Sequence, residues 1–288
     1  MFNRVAVTIA KAAGSRRRKG HFMTEWHAED YHRESGLQRA MAREQLGRLT
    51  LVGGERILDV GCGDGRVTAE IAARVPRGSV LGVDPSRGMI AFASARFGPP
   101  EHSNLRFEVA DARRLPYRDE FDLVVSFNAL HWVLDQQAAL AAIRAALKLE
   151  GRALLRLVPS GPRESLEHVI EEVRQGARWA EHFAGFRRPY VHFSREEYRA
   201  LAERAGFRIV RMDVEDNVWD FKTRESFVAF ARATFVEWTQ RLPESDWDAF
   251  IADALDRYQT VAAESSRDAN TFKFYQMEVE LTPVALLA

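Results

Sequence analysis

The residues best suited to chemistry form one short run and two separate acids. Leu58-Asp59-Val60-Gly61-Cys62-Gly63-Asp64-Gly65 places three glycines within five residues, which lets a backbone turn tightly and approach a ligand closely. Downstream, Asp84-Pro85 and Asp111-Ala112 each close an apolar run. A carboxylate at Asp84 suits both hydroxyls of a ribose and repels a 2′-phosphate. An acid followed by a small residue, as in Asp111-Ala112, suits the exocyclic amine and a ring nitrogen of adenine, and Met89 is placed to cover a face of that ring. The loop reads G-x-G-x-G, not the G-x-G-x-x-G of dinucleotide sites, and Asp59 beside it would repel a pyrophosphate. Each acid alone reads as an ordinary loop carboxylate; the ordered set at the ends of apolar runs carries the inference.

Such a set works only if a scaffold gathers strand ends along one edge. Apolar runs at 56–60, 79–83, 105–109, 121–127 and 153–158 alternate with helical stretches at 67–74, 88–96 and 136–147. That alternation predicts right-handed βαβ units and an α/β, doubly wound (Rossmann-like) sheet, in which ligands sit at the carboxyl ends of strands where strand order reverses. An amphipathic helix is expected over 38–50, from Leu37, Met41, Leu46 and Leu49. After Pro159 the alternation loosens: a helix over 164–184, a turn-like Arg187–Tyr190, then Ser194 and Glu197 as a capping box for a helix to Ala205. A sixth strand is expected at 207–214, helices at 224–241 and 245–264, and a last strand at 271–281.

The domain reading is a basic tail or start extension at 1–22 and one domain at 23–288. Within it lie N-terminal helices at 23–50, a ligand-binding core at 51–159, helical additions capping the sheet's ligand edge at 160–193 and 217–265, and a final strand at 271–282. The first 22 residues lack Asp and Glu but carry Arg16-Arg17-Arg18-Lys19, which fits a tail, a presequence or an extension upstream of Met23. Lys plus Arg equal Asp plus Glu at 41 each, so the chain lacks the cationic surplus a nucleic-acid binder needs. The single cysteine excludes an internal disulfide and fits a reducing, cytoplasmic setting. The apolar run 123–134 is too short to span a bilayer and is interrupted by Asn128 and His131, so no membrane partner is expected. No metal-ligand pattern stands out.

The strings ILDVGCGDG (57–65), VDPS (83–86), ADA (110–112) and SFNALHWV (126–133) resemble the class I methyltransferases that use S-adenosylmethionine. Within them the chain is most similar to the trans-aconitate and juvenile-hormone-acid methyltransferase group. Tyr31, Ser35 and Gly36-Leu37-Gln38 resemble that group's N-terminal pattern, Leu130-His131-Trp132-Val133 its L-H-W-V motif, and Trp179, Phe183 and Pro189-Tyr190 its cap. Asn128 departs from the hormone-acid enzymes, which tend to carry an aromatic residue there, and so speaks against a long apolar substrate.

The resemblance implies a seven-stranded, mostly parallel sheet with its last strand antiparallel, plus helical cap insertions. It implies S-adenosylmethionine as cofactor and a small-molecule acceptor. Carried over, Asp59, Gly61, Cys62 and Gly63 would hold the methionine part, Asp84 and Pro85 the ribose side, and Met89, Asp111 and Ala112 the adenine. Phe127 would line the methyl end, Tyr31 would face the sulfonium, and Gln38, Trp132, Trp179 and Tyr190 would surround the acceptor.

A carboxylate acceptor is ionised at neutral pH and needs no general base. A hydroxyl, amine or carbon acceptor of a biosynthetic intermediate must usually lose a proton, and then His131 would serve as base. The plainer reading of His131 is a packed ring that orients Trp132. A protein that binds the cofactor without turnover is a further alternative. Ser126-Phe127-Asn128-Ala129 is not the Asn/Asp-Pro-Pro-aromatic tetrad that methylates base amines. The basic Arg178, Arg187 and Arg188 read equally as a draw for an acidic acceptor or as a solvated surface.

Overall fold

The computed structural model describes residues 36–265 and 268–285. Helix α1 (Gly36–Arg48) comes first, then β1 (Arg56–Val60), α2 (Arg66–Arg74), β2 (Ser79–Asp84), α3 (Arg87–Phe97) and β3 (Leu105–Val109). A 3-10 turn, Ala112–Arg114, leads to β4 (Phe121–Phe127), a second such turn, Leu130–Trp132, then α4 (Gln136–Ala146) and β5 (Leu147–Leu157). There follow α5 (Leu166–Gln175), the 3-10 turn Ala180–Phe183, α6 (Arg195–Arg204), β6 (Phe207–Asp220), α7 (Arg224–Thr234), α8 (Val236–Thr239), α9 (Trp247–Ala262) and β7 (Thr271–Pro283).

The seven strands form one sheet in the order β3-β2-β1-β4-β5-β7-β6. β1 to β5 run parallel, and β7 lies antiparallel to both β5 and β6. Strand order reverses between β1 and β4, so the crevice for a ligand opens beyond the carboxyl ends of these two strands. Successive side chains of a strand point to opposite faces, and the core divides accordingly. Ile57, Leu123 and Val125 pack on one face with Leu46, Ile71 and Val80; Leu58 and Val124 pack on the other with Leu140, Ile143 and Leu155.

A third apolar cluster lies off the sheet. It joins Val169 and Ile170 of α5, Trp179, Phe183 and Tyr190, Phe227 of α7, Trp238 of α8 and Phe250 of α9 to Phe272 and Phe274 of β7. Among the described residues no helix is long and apolar enough to cross a membrane.

Several elements depart from their expected bounds. β5 starts at Leu147, not at residue 153, and runs through Gly151. The register of β4 against β5 shifts between Phe121 and Leu123, and a Cβ at Gly151 would stand 2.9 Å from the Phe121 carbonyl oxygen, so this irregularity requires glycine. The helix expected over 164–184 stops at Gly176, and only Ala180–Phe183 resumes a helical turn. β6 runs on to Asp220, so residues 217–220, expected to open the second helical addition, belong to a strand paired with β7. The Ser194 capping box forms as expected: the Ser194 hydroxyl accepts from Glu197 N at 3.2 Å, and the Glu197 carboxylate accepts from Ser194 N at 2.8 Å.

Candidate active site

The loop after β1 is stitched to the end of β2, where Gly61 N and Cys62 N both donate to the Val83 carbonyl, at 2.7 and 3.0 Å. Gly61 and Gly63 have φ values of 80° and 52°, in the left-handed region that favours glycine. Their surroundings differ. A Cβ on Gly61 would lie 2.1 Å from Ala129 Cβ, whereas one on Gly63 would meet nothing within 4 Å. Ser126, buried at the end of β4, donates its hydroxyl to the Val60 carbonyl at 2.7 Å and ties the two strand ends together where strand order reverses.

Beyond these strand ends lies a cavity of about 920 Å³, lined by Gly61, Gly63, Asp84, Pro85, Met89, Asp111, Ala112, Phe127 and Trp132, among others. One wall is thus built from the ends of β1 to β4, as the strand-end reading expected. The Asp84 carboxylate accepts from Gly63 N at 3.1 Å and from Ser86 N at 2.9 Å. Asp111 caps the Ala112–Arg114 turn by accepting from Arg113 N at 2.9 Å, and its two oxygens also receive the Arg113 guanidinium. That guanidinium is the main reason the Asp111 carboxyl sits below its ordinary range.

Other expected residues stand elsewhere. Asp59 and Cys62 are buried and do not line the cavity. The Asp59 carboxylate turns inward and accepts from the Thr68 hydroxyl at 2.7 Å. Burial is the largest influence on Asp59 and pushes its pKa up to about 7; the hydrogen bond from Thr68 opposes this and the charge of Asp84 adds to it. Burial, together with the nearby acids, also pushes the Cys62 thiol well above its usual value, which disfavours its thiolate.

Trp179 and Tyr190 belong to the helical cluster and line neither this cavity nor the smaller one beside it. The Trp179 indole N–H donates to Asp253 at 2.8 Å, and Tyr190 packs between Trp132 and Trp238. Gln38 lies on α1, but its side chain, like the whole of Tyr31, is outside the described residues.

His131 is buried and faces the second cavity, of about 100 Å³, which shares Asn128 and Trp132 with the first. Its ring centre is 5.3 Å from that of Trp132 and 6.1 Å from that of His192. Burial, reinforced by His192, lowers its pKa to about 3, so the ring is neutral at physiological pH.

The far wall of the large cavity comes from the segment between α5 and α6 and from around α8. It includes His182, Arg187, Arg188, Glu237 and Arg241. No sequence signal singles out Arg241 and Glu237, which come from another helical segment. Arg113 could have been suspected from its position two residues after Asp111. Arg178, by contrast, is paired with Asp253 at 2.9 Å and does not line the cavity.

A cavity with two strand-end carboxylates, an open cradle at Gly63 and apolar or aromatic walls from Met89, Phe127 and Trp132 fits an adenosine group bearing a sulfonium. Comparison with known proteins agrees. Residues 57–151 match the family model described as a methyltransferase domain. The malonyl-[acyl-carrier protein] O-methyltransferase of Geobacter sulfurreducens is 34% identical over 197 residues, covering 66% of this chain and 70% of that protein. The trans-aconitate 2-methyltransferase of Variovorax paradoxus is 32% identical over 160 residues, covering 55% of this chain and 60% of that one. The fold superposes on phosphoethanolamine N-methyltransferase 2 of Haemonchus contortus in complex with S-adenosyl-L-methionine, with a TM-score of 0.59 and 18% identity over 90% of this chain and 57% of that one. With this sheet order, these strand ends and these relatives, the chain belongs to the class I S-adenosylmethionine-dependent methyltransferases.

Proposed function

We propose that the acceptor is a small carboxylic acid, methylated on a carboxylate oxygen. The observation that carries this reading is the far wall of the large cavity, where Arg187, Arg188 and Arg241 line the space and none is ion-paired among the described residues. Three cations facing a cavity raise the local concentration of anions. The printed name of one relative, trans-aconitate 2-methyltransferase, points the same way, and that of another, malonyl-[acyl-carrier protein] O-methyltransferase, names methylation on oxygen.

In this reading Asp84 holds the ribose, Asp111 and Ala112 the adenine edge, Met89 and Pro85 its flanks, and the Gly61–Gly63 turn the methionine end. Phe127 and Trp132 stand beside the reacting centre, and the segments 160–193 and 221–265 form a cap over the acceptor. S-adenosylmethionine, when bound, supplies a methyl group on a sulfonium and needs no activation. The protein's own task is position: holding the nucleophile in line and excluding water, an effect worth about 7–11 kcal/mol at best. Trp132 and, by resemblance, Gln38 orient the carboxylate. Against a general base at His131 stands its depressed pKa, since a ring with a pKa of about 3 accepts a proton only weakly.

The test is to incubate the protein with S-adenosylmethionine and a panel of small mono-, di- and tricarboxylic acids and to identify the product. An alkali-labile methyl ester is expected. Arg187→Ala and Arg188→Ala should each raise KM for the acid by about fivefold, as for an exposed charge, with cofactor affinity retained. Methyl recovered only on nitrogen, carbon or an ether oxygen would overturn the reading.

A further inference from the structure

The smaller cavity, which no role above fills, differs in character from the large one. Its walls are mostly apolar, from Ile170 of α5, Phe235 at the end of α7, Trp238 of α8, and Phe272 and Phe274 of β7, with His131, Glu167 and Thr234 among the polar side chains that also line it. At about 100 Å³ it has room for roughly three water molecules, the size of a short chain of a few heavy atoms. Asn128 and Trp132 line both cavities, so the two spaces adjoin at these side chains.

One polar feature stands out among these apolar walls. Gln276, buried on β7, donates its side-chain amide to the side-chain carbonyl of Asn128. Asn128 holds the left-handed conformation, with φ of 58°, which asparagine tolerates better than most residues. Among the described residues the Gln276 carbonyl oxygen has no hydrogen-bond partner, although it is buried. The conclusion does not depend on which way each amide is turned. A single bond between two primary amides consumes one N–H and one carbonyl lone pair, so the pair always offers a further carbonyl and a further NH₂. An ionised carboxylate only accepts, so it leaves the carbonyl unmatched. A hydroxyl both donates and accepts, and so meets both needs. Glu167, which lines the same cavity, repels a carboxylate there, while the arginines of the first cavity attract one. The two cavities therefore orient a molecule that carries different groups at its two ends.

We propose that the Asn128–Gln276 amide pair is a specificity determinant that selects acids bearing a hydroxyl on a small apolar body, with the body and hydroxyl in the second cavity and the carboxylate toward the first. The inference rests on the carboxylate reading for the identity of the reacting end. The hydroxyl preference is separately measurable.

The experiment compares matched acids, 3-phenylpropionate with 3-(4-hydroxyphenyl)propionate and pentanoate with 5-hydroxypentanoate. Binding is measured by calorimetry on the full chain with S-adenosylhomocysteine present, so that no turnover is needed. The hydroxylated member of at least one pair should bind about 10–100-fold more tightly, the cost of leaving one buried acceptor unmatched. Gln276→Met, close in volume, should bring that ratio near one by weakening the hydroxylated acid. Asn128→Gly, which keeps the left-handed backbone, should do the same and serves if Gln276→Met does not fold. Equal binding within both pairs, no binding by any member at millimolar concentration, or a ratio unchanged in both variants would overturn the proposal. Identifying the methylated product separates the two readings: a hydroxyl preference with methyl on the hydroxyl oxygen would sink the carboxylate reading and leave the amide pair as the selector.

Discussion

Asp111 and Arg113 face each other as carboxylate and guanidinium, with Arg113 Nε at 3.0 and 3.1 Å from the two oxygens and its terminal nitrogen at 2.6 Å. The acid at the end of β3 is thus held ionised and in one orientation before any ligand arrives. Both side chains are about one-third exposed, so the pair is a positioning device more than a source of stability. Arg113→Ala should weaken S-adenosylmethionine by about three- to tenfold in calorimetry, with little change in melting temperature. An unchanged affinity would mean that Asp111 is not held for the adenine.

Asp84 ties the glycine loop to the end of β2 through Gly63 N and accepts from Ser86 N just before α3. Asp84→Ala removes the acceptor proposed for the ribose and the two bonds that order the turn. Its cofactor affinity should fall by about 1.5–3 kcal/mol, the range for hydrogen bonds to a charged group. Retained affinity for this variant would refute the ribose assignment.

The two loop glycines predict opposite phenotypes. Gly61→Ala drives a methyl into Ala129, so it should lower stability by about 1–3 kcal/mol in denaturant titrations. Gly63→Ala pays only for its positive φ, but its methyl points into open space at the cavity wall. It should cost about 1 kcal/mol of stability and weaken cofactor binding more than Gly61→Ala does in the folded fraction. Reversed behaviour of the two would place the ligand away from this turn.

His131 and His192 are both held below their ordinary pKa, chiefly by burial. For His131 the unfolded chain titrates near 6.5 and the folded protein near 3, so the unfolded state binds more protons between these values. For His131 alone, stability should be flat above pH 6.5 and fall as pH drops below it, a slope opposed over the same range by Asp59, whose carboxyl, raised to about 7, takes up its proton first in the folded state. His131→Phe should reduce that slope between about pH 6.5 and 5, read by melting temperature against pH. Methyl transfer should stay flat from about pH 6 to 9, and His131→Phe should keep a substantial rate. A rate that climbs with an apparent pKa near 6.5 and vanishes in this variant would restore His131 as a base.

The parallel half of the fold was legible because β1, β4 and β5 are largely buried and read as apolar runs, while acids close β2 and β3. Asp84 and Asp111 were found at strand ends, Phe127 came with the resemblance, and all three line the large cavity. β5 was read short because Leu147-Lys148-Leu149-Glu150 continues a helical rhythm, and only pairing with β4 makes it a strand. The outer half of β6 was missed because it alternates polar and half-exposed residues, and its order comes from β7. Trp179 was expected at the acceptor because it matches the cap of the resembling family, but its indole is committed to Asp253, far away in sequence. The inward turn of Asp59 to Thr68 and the meeting of Asn128 with Gln276 likewise depend on contacts that no local pattern encodes.

β7 follows every other described element in chain order, yet it lies between β5 and β6. Met277, Val279 and Leu281 enter the cluster on the sheet, while Phe272 and Phe274 enter the helical one, so a single strand closes both. Until this segment arrives, β5 has one open edge and β6 has no strand partner. Such late, long-range closure makes folding slow and exposes a template for mispairing. Agents that shield strand edges should raise the yield of refolded protein more than agents that only favour helices.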